Sequence, residues 1–330
     1  MCERPAPDVP QDVLSRLGQA KSLLVITHAR PDGDGLGSMA ALIRAARASG
    51  RAARALLSDA VPDRYLFLFG QDLPAPGGRV DELADQADLI VILDTSTYAQ
   101  LDGLEEALAK RRDKALVIDH HVAGEPISAW RWQDESAAAT GVMVGEIIEA
   151  LGWPLDTLTA EALATALTTD TGWMRFSNTD PRALRCLARW MEAGLRADEL
   201  YRKLYQTDRP QRLRLMTRML ESLRLHCGQR LATMVIRHAD FEASGARFDE
   251  TENLVNESMR LASVEVAVLA VENTDCVRVS LRSRQTVDVA AIARRFGGGG
   301  HRRAAGLRLQ EDVDVLMNKL IAACGEALGE

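Results

Sequence analysis

Carboxylates and imidazoles recur at four places in the first half of the chain. The first place is Thr27-His28-Ala29-Arg30-Pro31-Asp32-Gly33-Asp34-Gly35-Leu36-Gly37-Ser38, behind the apolar run SLLVI. There His28, Asp32 and Asp34 converge only if the backbone turns tightly, which Pro31, Gly33, Gly35 and Gly37 are expected to allow. The second is Asp94-Thr95-Ser96 behind LIVIL, the third Asp119-His120-His121 behind ALVI, and the fourth Thr169-Asp170-Thr171-Gly172 at a helix end. Taken singly, most of these have an ordinary explanation: a DGDG turn caps a helix, and so does an Asp after a strand. Asp119-His120-His121 resists that explanation, because three titratable groups at a buried strand end are costly unless something pairs with them.

Together the clusters point to metal chemistry. Carboxylates and imidazoles without thiolates suit hard-to-borderline divalent ions such as Mn²⁺ or Mg²⁺. Six ligands with several negative charges are more than one such ion usually takes from protein. Two ions about 3.5–4 Å apart, bridged by one carboxylate, would use them all, activate a bridging water and clamp a phosphoryl oxygen. The reaction class this implies is phosphoester hydrolysis.

The elements that must position these groups are legible as alternating short apolar runs and helical patterns. Strands are expected at 21–27, 51–57, 88–93 and 115–118, with another at 127–132, and helices at 36–49, 136–150, 159–169 and 181–193. That alternation predicts a mostly parallel sheet covered on both faces, with ligands bound outside the carboxyl ends of its strands. An Arg-rich helical stretch, 195–226, broken at Pro210, reads as a connection. A second, smaller α/β unit follows, with strands at 231–237, 264–271 and 276–282 and helices at 250–262, 287–296 and 311–328. The predicted division is 1–194, 195–226 and 227–330, in keeping with about two domains for 330 residues.

Composition narrows the class. A net charge of −7 disfavours a protein that coats long nucleic acid. Residues 278–308 nevertheless hold eight Arg against the single acid Asp288, so the rest of the chain carries −14. A small basic patch on an acidic body suits a small anionic ligand. Five scattered cysteines, Cys2, Cys186, Cys227, Cys276 and Cys324, with no CxxC pair, argue against a disulfide framework or a thiolate zinc site. The Pro-rich acidic start is not a secretory signal and no apolar run is long enough to span a bilayer, so a cytoplasmic location is expected. Gly297-Gly298-Gly299-Gly300-His301, flanked by Arg282, Arg302 and Arg303, reads either as a flexible loop or as a backbone cradle for phosphate backed by the next helix or turn. Trp130, Trp132 and Trp190 read as core, His226 and His238 as surface or helix-end residues, and Trp173, beside Asp170, as the aromatic placed for base stacking.

HARPDGDGLGS, DTST, DHHV and TDTG resemble the four ordered motifs of the DHH phosphoesterases, and RSRQTVDVAAIARRFGGGGHRRAAG resembles the hallmark of the DHHA1 domain. The resemblance spans about residues 20 to 310. It is strongest to the stand-alone nanoRNase/pAp phosphatase group, since RecJ-type exonucleases and membrane-tethered cyclic-dinucleotide phosphodiesterases usually add further modules. It implies an α/β fold in which 1–194 is the DHH catalytic domain and 227–330 the DHHA1 substrate-binding domain, with the site in the interdomain cleft. It implies one ion on His28, Asp32 and Asp94 and a second on Asp34, Asp94, His120 and Asp170, with two Mn²⁺ expected and Mg²⁺ or Co²⁺ as substitutes. Asp119 would orient His120, and His121 would face the substrate and stabilise charge or donate a proton to the leaving oxygen. Arg282, Ser283, Gly298, Gly299, Gly300 and His301 would hold a substrate phosphate. Arg175 is the candidate for a further substrate contact, although Trp-Met-Arg between Gly172 and Phe176 is longer than the Gly-Arg-Phe of the best-known nanoRNases.

The expected activity is hydrolysis of short single-stranded oligoribonucleotides, about two to five nucleotides long, to monophosphates, and of pAp to AMP and phosphate. Action on linear or cyclic dinucleotides, or as a RecJ-like single-strand DNA exonuclease, is the alternative within enzymes. A nucleotide-binding regulator is the alternative outside them. No long duplex and no membrane are expected as partners, and a homodimer is left open.

Overall fold

The computed structural model describes all residues except 1–8, 75, 78, 79 and 123, so Cys2 and the acidic start lie outside the described residues. The chain divides into two compact units, 1–207 and 208–330.

In the first unit, β1 (Ser22–Thr27), β2 (Ala52–Leu56), β3 (Leu89–Leu93), β4 (Ala115–Asp119) and β5 (Trp130–Gln133) form one parallel sheet in the order β2-β1-β3-β4-β5. The apolar runs of β1, β3 and β4 are unbroken because both faces of these central strands are buried. On β3, Leu89, Val91 and Leu93 enter one core while Ile90 and Ile92 enter the other. The first core is closed by α1 (Gln11–Gln19), α2 (Gly33–Ala48), α5 (Thr140–Ala150), α6 (Thr157–Asp170), α7 (Pro181–Glu192) and α8 (Ala197–Tyr205). The second is closed by the short α3 (Val80–Gln86) and α4 (Glu105–Ala109). Strand order reverses between β1 and β3, the switch point beside which such sheets bind ligands.

The start of α2 corrects one expectation. Gly33, Gly35 and Gly37 lie inside the helix rather than in a turning loop. They are small because α2 packs hard on its surroundings: a Cβ on Gly33 would stand 2.4 Å from the Thr169 side chain, and one on Gly37 2.5 Å from the Ala162 carbonyl.

The second unit holds α9 (Pro210–Glu221), β6 (Arg224–His226), β7 (Leu231–Ile236), α10 (His238–Ser244), β8 (Val266–Glu272), β9 (Val277–Ser283), α11 (Val289–Arg295), β10 (Gly299–His301), β11 (Ala304–Leu309) and α12 (Val313–Leu328). Its mixed sheet runs β10-β11-β9-β8-β7-β6. The helix expected at 250–262 is two 3₁₀ segments, Phe248–Thr251 and Leu254–Arg260, separated by Asn253 at a left-handed φ of 62° that breaks the helical path. The glycine run is not loose either. Gly297, at φ 75°, ends α11, and Gly299–His301 pair as a strand with Ala304–Gly306. Of the helix or turn expected next, it is the tight turn of a hairpin that follows.

Candidate metal centre

β1, β3 and β4 all end at one edge of the first sheet, and the polar residues after them meet there. His28 and Asp32 follow β1, Asp94 follows β3, and His120 follows β4. Asp34 comes from the first turn of α2 and Asp170 from the last residue of α6. Ligand atoms of His28, Asp32 and Asp94 lie within 4.8 Å of one another, and so do those of Asp34, His120 and Asp170.

Asp94 stands between the two groups. Its Oδ2 is 3.5 Å from His28 Nε2 and its Oδ1 3.6 Å from His120 Nε2, so each carboxylate oxygen faces a different imidazole. The residue is 2% exposed and takes a left-handed φ of 62°, a conformation Asp tolerates better than most side chains. Asp32 has both of the roles its position allowed. Its Oδ1 caps α2 through the N–H groups of Asp34 and Gly35 and lies 3.6 Å from His28 Nε2.

The imidazoles are oriented by carbonyls, which can only accept. His28 Nδ1 donates to Ala29 O at 2.9 Å and His120 Nδ1 to Ala137 O at 3.1 Å, so in each neutral ring the lone pair sits on the Nε2 that faces the carboxylates. This corrects the expectation that Asp119 orients His120. Residues two apart at a strand end share a side, and Asp119 instead binds His121: Oδ1 accepts from Nδ1 at 2.8 Å and from the His121 N–H at 3.1 Å. Asp119 and Asp94 hold the His121 imidazole up, against burial, to about 9. Asp94, His120 and His121 form a third close group, but His121 Nδ1 is already committed to Asp119.

Charge crowding marks the centre. Burial and the nearby Asp94 and Asp170 push the Asp34 carboxyl well above its usual range. Burial, together with Asp94 and Asp32 and opposed by His120, raises Asp170 to about 7. Against burial, Asp32 and Asp94 raise His28 to about 11. Crowded, desolvated carboxylates facing imidazole Nε2 atoms, with no cysteine among them, fit a hard-to-borderline divalent cation.

Sequence reading missed the segment that braces this cluster. In Ala137-Ala138-Ala139-Thr140, the Ala137 carbonyl holds His120 and the Ala138 carbonyl accepts from Asn178 Nδ2, which also reaches Asp170 Oδ2 at 3.4 Å. The Thr140 and Gly141 N–H groups, at the start of α5, bind the two Asp34 oxygens at 2.7 and 3.0 Å. Thr140 Oγ1 donates to Asp94 Oδ1 at 3.0 Å, and Ser38 Oγ to Asp34 Oδ1 at 3.1 Å. The one hint in the sequence was a run of small residues ahead of a Thr, which a helix start explains equally well. Thr140→Val keeps the shape and removes the hydroxyl donor; it is expected to weaken Mn²⁺ binding about tenfold, with Thr140→Ser restoring it. Calorimetric titration reads both, and equal affinity in all three proteins would deny the hydroxyl any part in holding Asp94.

The other predicted residues make contacts of their own. Arg175 is exposed, with Nε donating to Gly172 O at 2.7 Å and the guanidinium over the Phe176 ring. Trp173 is half-buried, edge-on to Tyr201 and Tyr205. Arg282, Ser283, Gly298, Gly299, Gly300 and His301 belong to the second unit. There the Gly298 N–H is taken by Ala293 O at 2.9 Å, so it closes α11 rather than waiting for an anion. His301 pairs through its backbone with Ala304, and its side chain lies outside what the structure describes. His226 bonds Thr233 Oγ1, and His238 is exposed near Glu242, as surface residues do. Trp132 and Trp190 are core residues, while Trp130 is half-buried with Arg16 over its ring. No helix among the described residues is long and apolar enough to cross a membrane.

Residues 22–168 match the N-terminal domain of the DHH family, and residues 229–326 match the DHHA1 domain. The chain is 31% identical to the bifunctional oligoribonuclease and PAP phosphatase NrnA of Thermus thermophilus, over 93% of this chain and 90% of that one. It is 25% identical to the NrnA of Bacillus subtilis, over 92% and 95%. The fold is that of an exopolyphosphatase-related protein from Bacteroides fragilis, with a TM-score of 0.93 at 22% identity over 99% of this chain and all of that one. It is shared more loosely with RecJ from Thermus thermophilus in complex with Mn²⁺, with a TM-score of 0.56 at 14% identity over 98% of this chain and 56% of that one. The ordered motifs, the two domain matches and the whole-length identity place the chain in one family: it belongs to the DHH phosphoesterases that carry a DHHA1 domain.

Proposed function

We propose that the protein hydrolyses short single-stranded oligoribonucleotides to nucleoside monophosphates and pAp to AMP and phosphate, using two divalent ions, with Mn²⁺ the favoured metal. The observation that carries this reading is Asp94, whose two oxygens face two separate ligand groups, in a chain 31% identical along its length to an oligoribonuclease and PAP phosphatase. His28, Asp32 and Asp94 would hold one ion, and Asp34, Asp94, His120 and Asp170 the other. When bound, such a pair supplies Lewis acidity at the phosphoryl group and an acidified water as nucleophile.

The chain's own residues do the rest. Ala29 and Ala137 carbonyls take the two Nδ1–H groups, so that each imidazole, once neutral, turns the lone pair of Nε2 to the centre. Thr140, Gly141 and Ser38 hold Asp34 and Asp94 in place at no cost in reorganisation when substrate arrives. His121, kept protonated by Asp119, carries a proton to the leaving ribose oxygen. Arg282 grips a phosphate that is not being cleaved.

Metal uptake should release protons. With His28 raised to about 11 by Asp32 and Asp94, the ring is protonated near neutral pH, and it must lose that proton to offer Nε2 to an ion. Mn²⁺ affinity therefore rises with pH, and titrations in two buffers of different ionisation enthalpy should give different apparent heats. Identical heats would contradict it.

The functional test is a turnover profile on ribo- and deoxyribo-oligomers from about two to twenty nucleotides, with a linear dinucleotide messenger included. Ribo-oligomers of about two to five nucleotides should be cleaved fastest, because an acidic body with one small basic patch does not favour a long polyanion. Faster cleavage of long deoxyribo-oligomers would favour a single-strand DNA exonuclease and overturn the proposal.

A further inference from the structure

In the second unit, β9 alternates strictly. Val277, Val279 and Leu281 enter the core beneath α11 and α12, and Arg278, Ser280 and Arg282 point to the other face. Antiparallel pairing with β11 sets Ala304 opposite Arg282, Gly306 opposite Ser280, and Arg308 opposite Arg278. Three guanidinium-bearing residues thus share one sheet face, two of them directly across from each other, with small residues between them.

That arrangement is costly as it stands, since like charges directly opposite on neighbouring strands repel. Arg278 is half-buried, its guanidinium over the Phe248 ring and one Nη donating to Thr251 Oγ1, while its Nε is buried without a partner. The Arg282 side chain is half-buried and, among the described residues, donates only to the Leu281 carbonyl, at 3.0 Å. Burial, and then Arg308, press Arg278 below its usual range, and burial does the same to Arg282. Among the described residues none of the three has a carboxylate within 4.0 Å, although the field of Glu252 reaches Arg278 and Arg282. A shortage of acids is not the reason. In the same unit Arg209, Arg218, Arg237 and Arg295 each hold a carboxylate at 2.6–3.4 Å. Buried cations are ordinarily paired, so this face is built to receive an anion from outside.

We propose that Arg278 and Arg308 form a second anion subsite, which takes a backbone phosphodiester of a single-stranded oligonucleotide lying beyond the phosphate gripped at Arg282. This rests on the reading of the chain as an oligonucleotide hydrolase. Arg278 and Arg282 are four residues apart on one strand, about 13 Å, a span that an extended single strand covers in roughly two nucleotides. Ser280, Ala304 and Gly306 leave a flat floor between the two positions. The subsite therefore adds affinity only to chains long enough to reach it. A dinucleotide ends before Arg308; a pentanucleotide does not.

The test is binding, read apart from turnover, with the ion-loaded full chain and labelled phosphorothioate-linked oligoribonucleotides of two and five nucleotides. Arg308→Gln, on an exposed side chain, should weaken the pentanucleotide roughly tenfold and so cut its advantage over the dinucleotide by a similar factor. It should also lower the salt slope of pentanucleotide binding by about 0.7. Arg308→Lys should keep most of that slope, and matching thermal unfolding of all three proteins checks the fold. Equal losses on both lengths, or an unchanged salt slope, would overturn the subsite even if hydrolysis stood. Failure of hydrolysis in the turnover profile would instead overturn the reading beneath it.

Discussion

Asp94→Ala is expected to lower turnover by about a thousandfold or more while the protein stays folded. The size follows from the residue's position. One oxygen faces His28 at 3.5 Å and the other faces His120 at 3.6 Å, so a single change takes a ligand from both ion positions. The fold is expected to survive because the sheet is held by Leu89 to Leu93 and not by the side chain that follows them. Ala tolerates the left-handed φ of 62° less well than Asp, so Asp94→Asn is the companion variant, keeping the backbone preference and removing the charge. Thermal unfolding, Mn²⁺ titration and kcat on pAp are read together. Retention of more than a few per cent of metal-dependent activity by either variant would mean that Asp94 does not bridge.

The second large effect separates the adjacent histidines. His120 presents Nε2 to Asp34, Asp94 and Asp170 at 3.6–3.8 Å, whereas His121 is turned onto Asp119. His120→Ala should therefore weaken Mn²⁺ binding. His121→Ala should leave Mn²⁺ affinity near that of the wild type and lower kcat by about a hundred- to ten-thousandfold, the range lost with a proton donor. Asp119→Asn should follow His121→Ala in kind, because the carboxylate acts through that imidazole. Equal loss of metal affinity in the two histidine variants would end this division of labour.

Much of the centre was legible in the sequence because strand ends are. LLVI, LIVIL and ALVI are too apolar to be anything but buried, and a His or Asp directly behind such a run has little choice of place. What was not legible depends on side-chain direction and on long-range bonds. Whether Asp119 serves His120 or His121 is decided by the alternation at the end of β4. Thr140, about a hundred residues from Asp34, carries no mark of its role in its neighbours. The glycines of α2 are expected as turn formers, yet Gly33 and Gly37 are spacers against α6 and Gly35 against Thr27 at the end of β1; composition does not distinguish freedom of φ from lack of room. In the second unit the register that sets Arg308 against Arg278 belongs to the β9–β11 pairing, and the sequence predicts no strand at β11.

Phosphate release from pAp tests the central claim most directly. With Mn²⁺ present, the wild-type protein should convert pAp to AMP and one equivalent of phosphate over many turnovers. Chelation should stop the reaction, and renewed Mn²⁺ should restore it. Binding of pAp without phosphate release, in Mn²⁺, Mg²⁺ and Co²⁺ alike, would contradict the account and leave a nucleotide-binding protein in place of an enzyme.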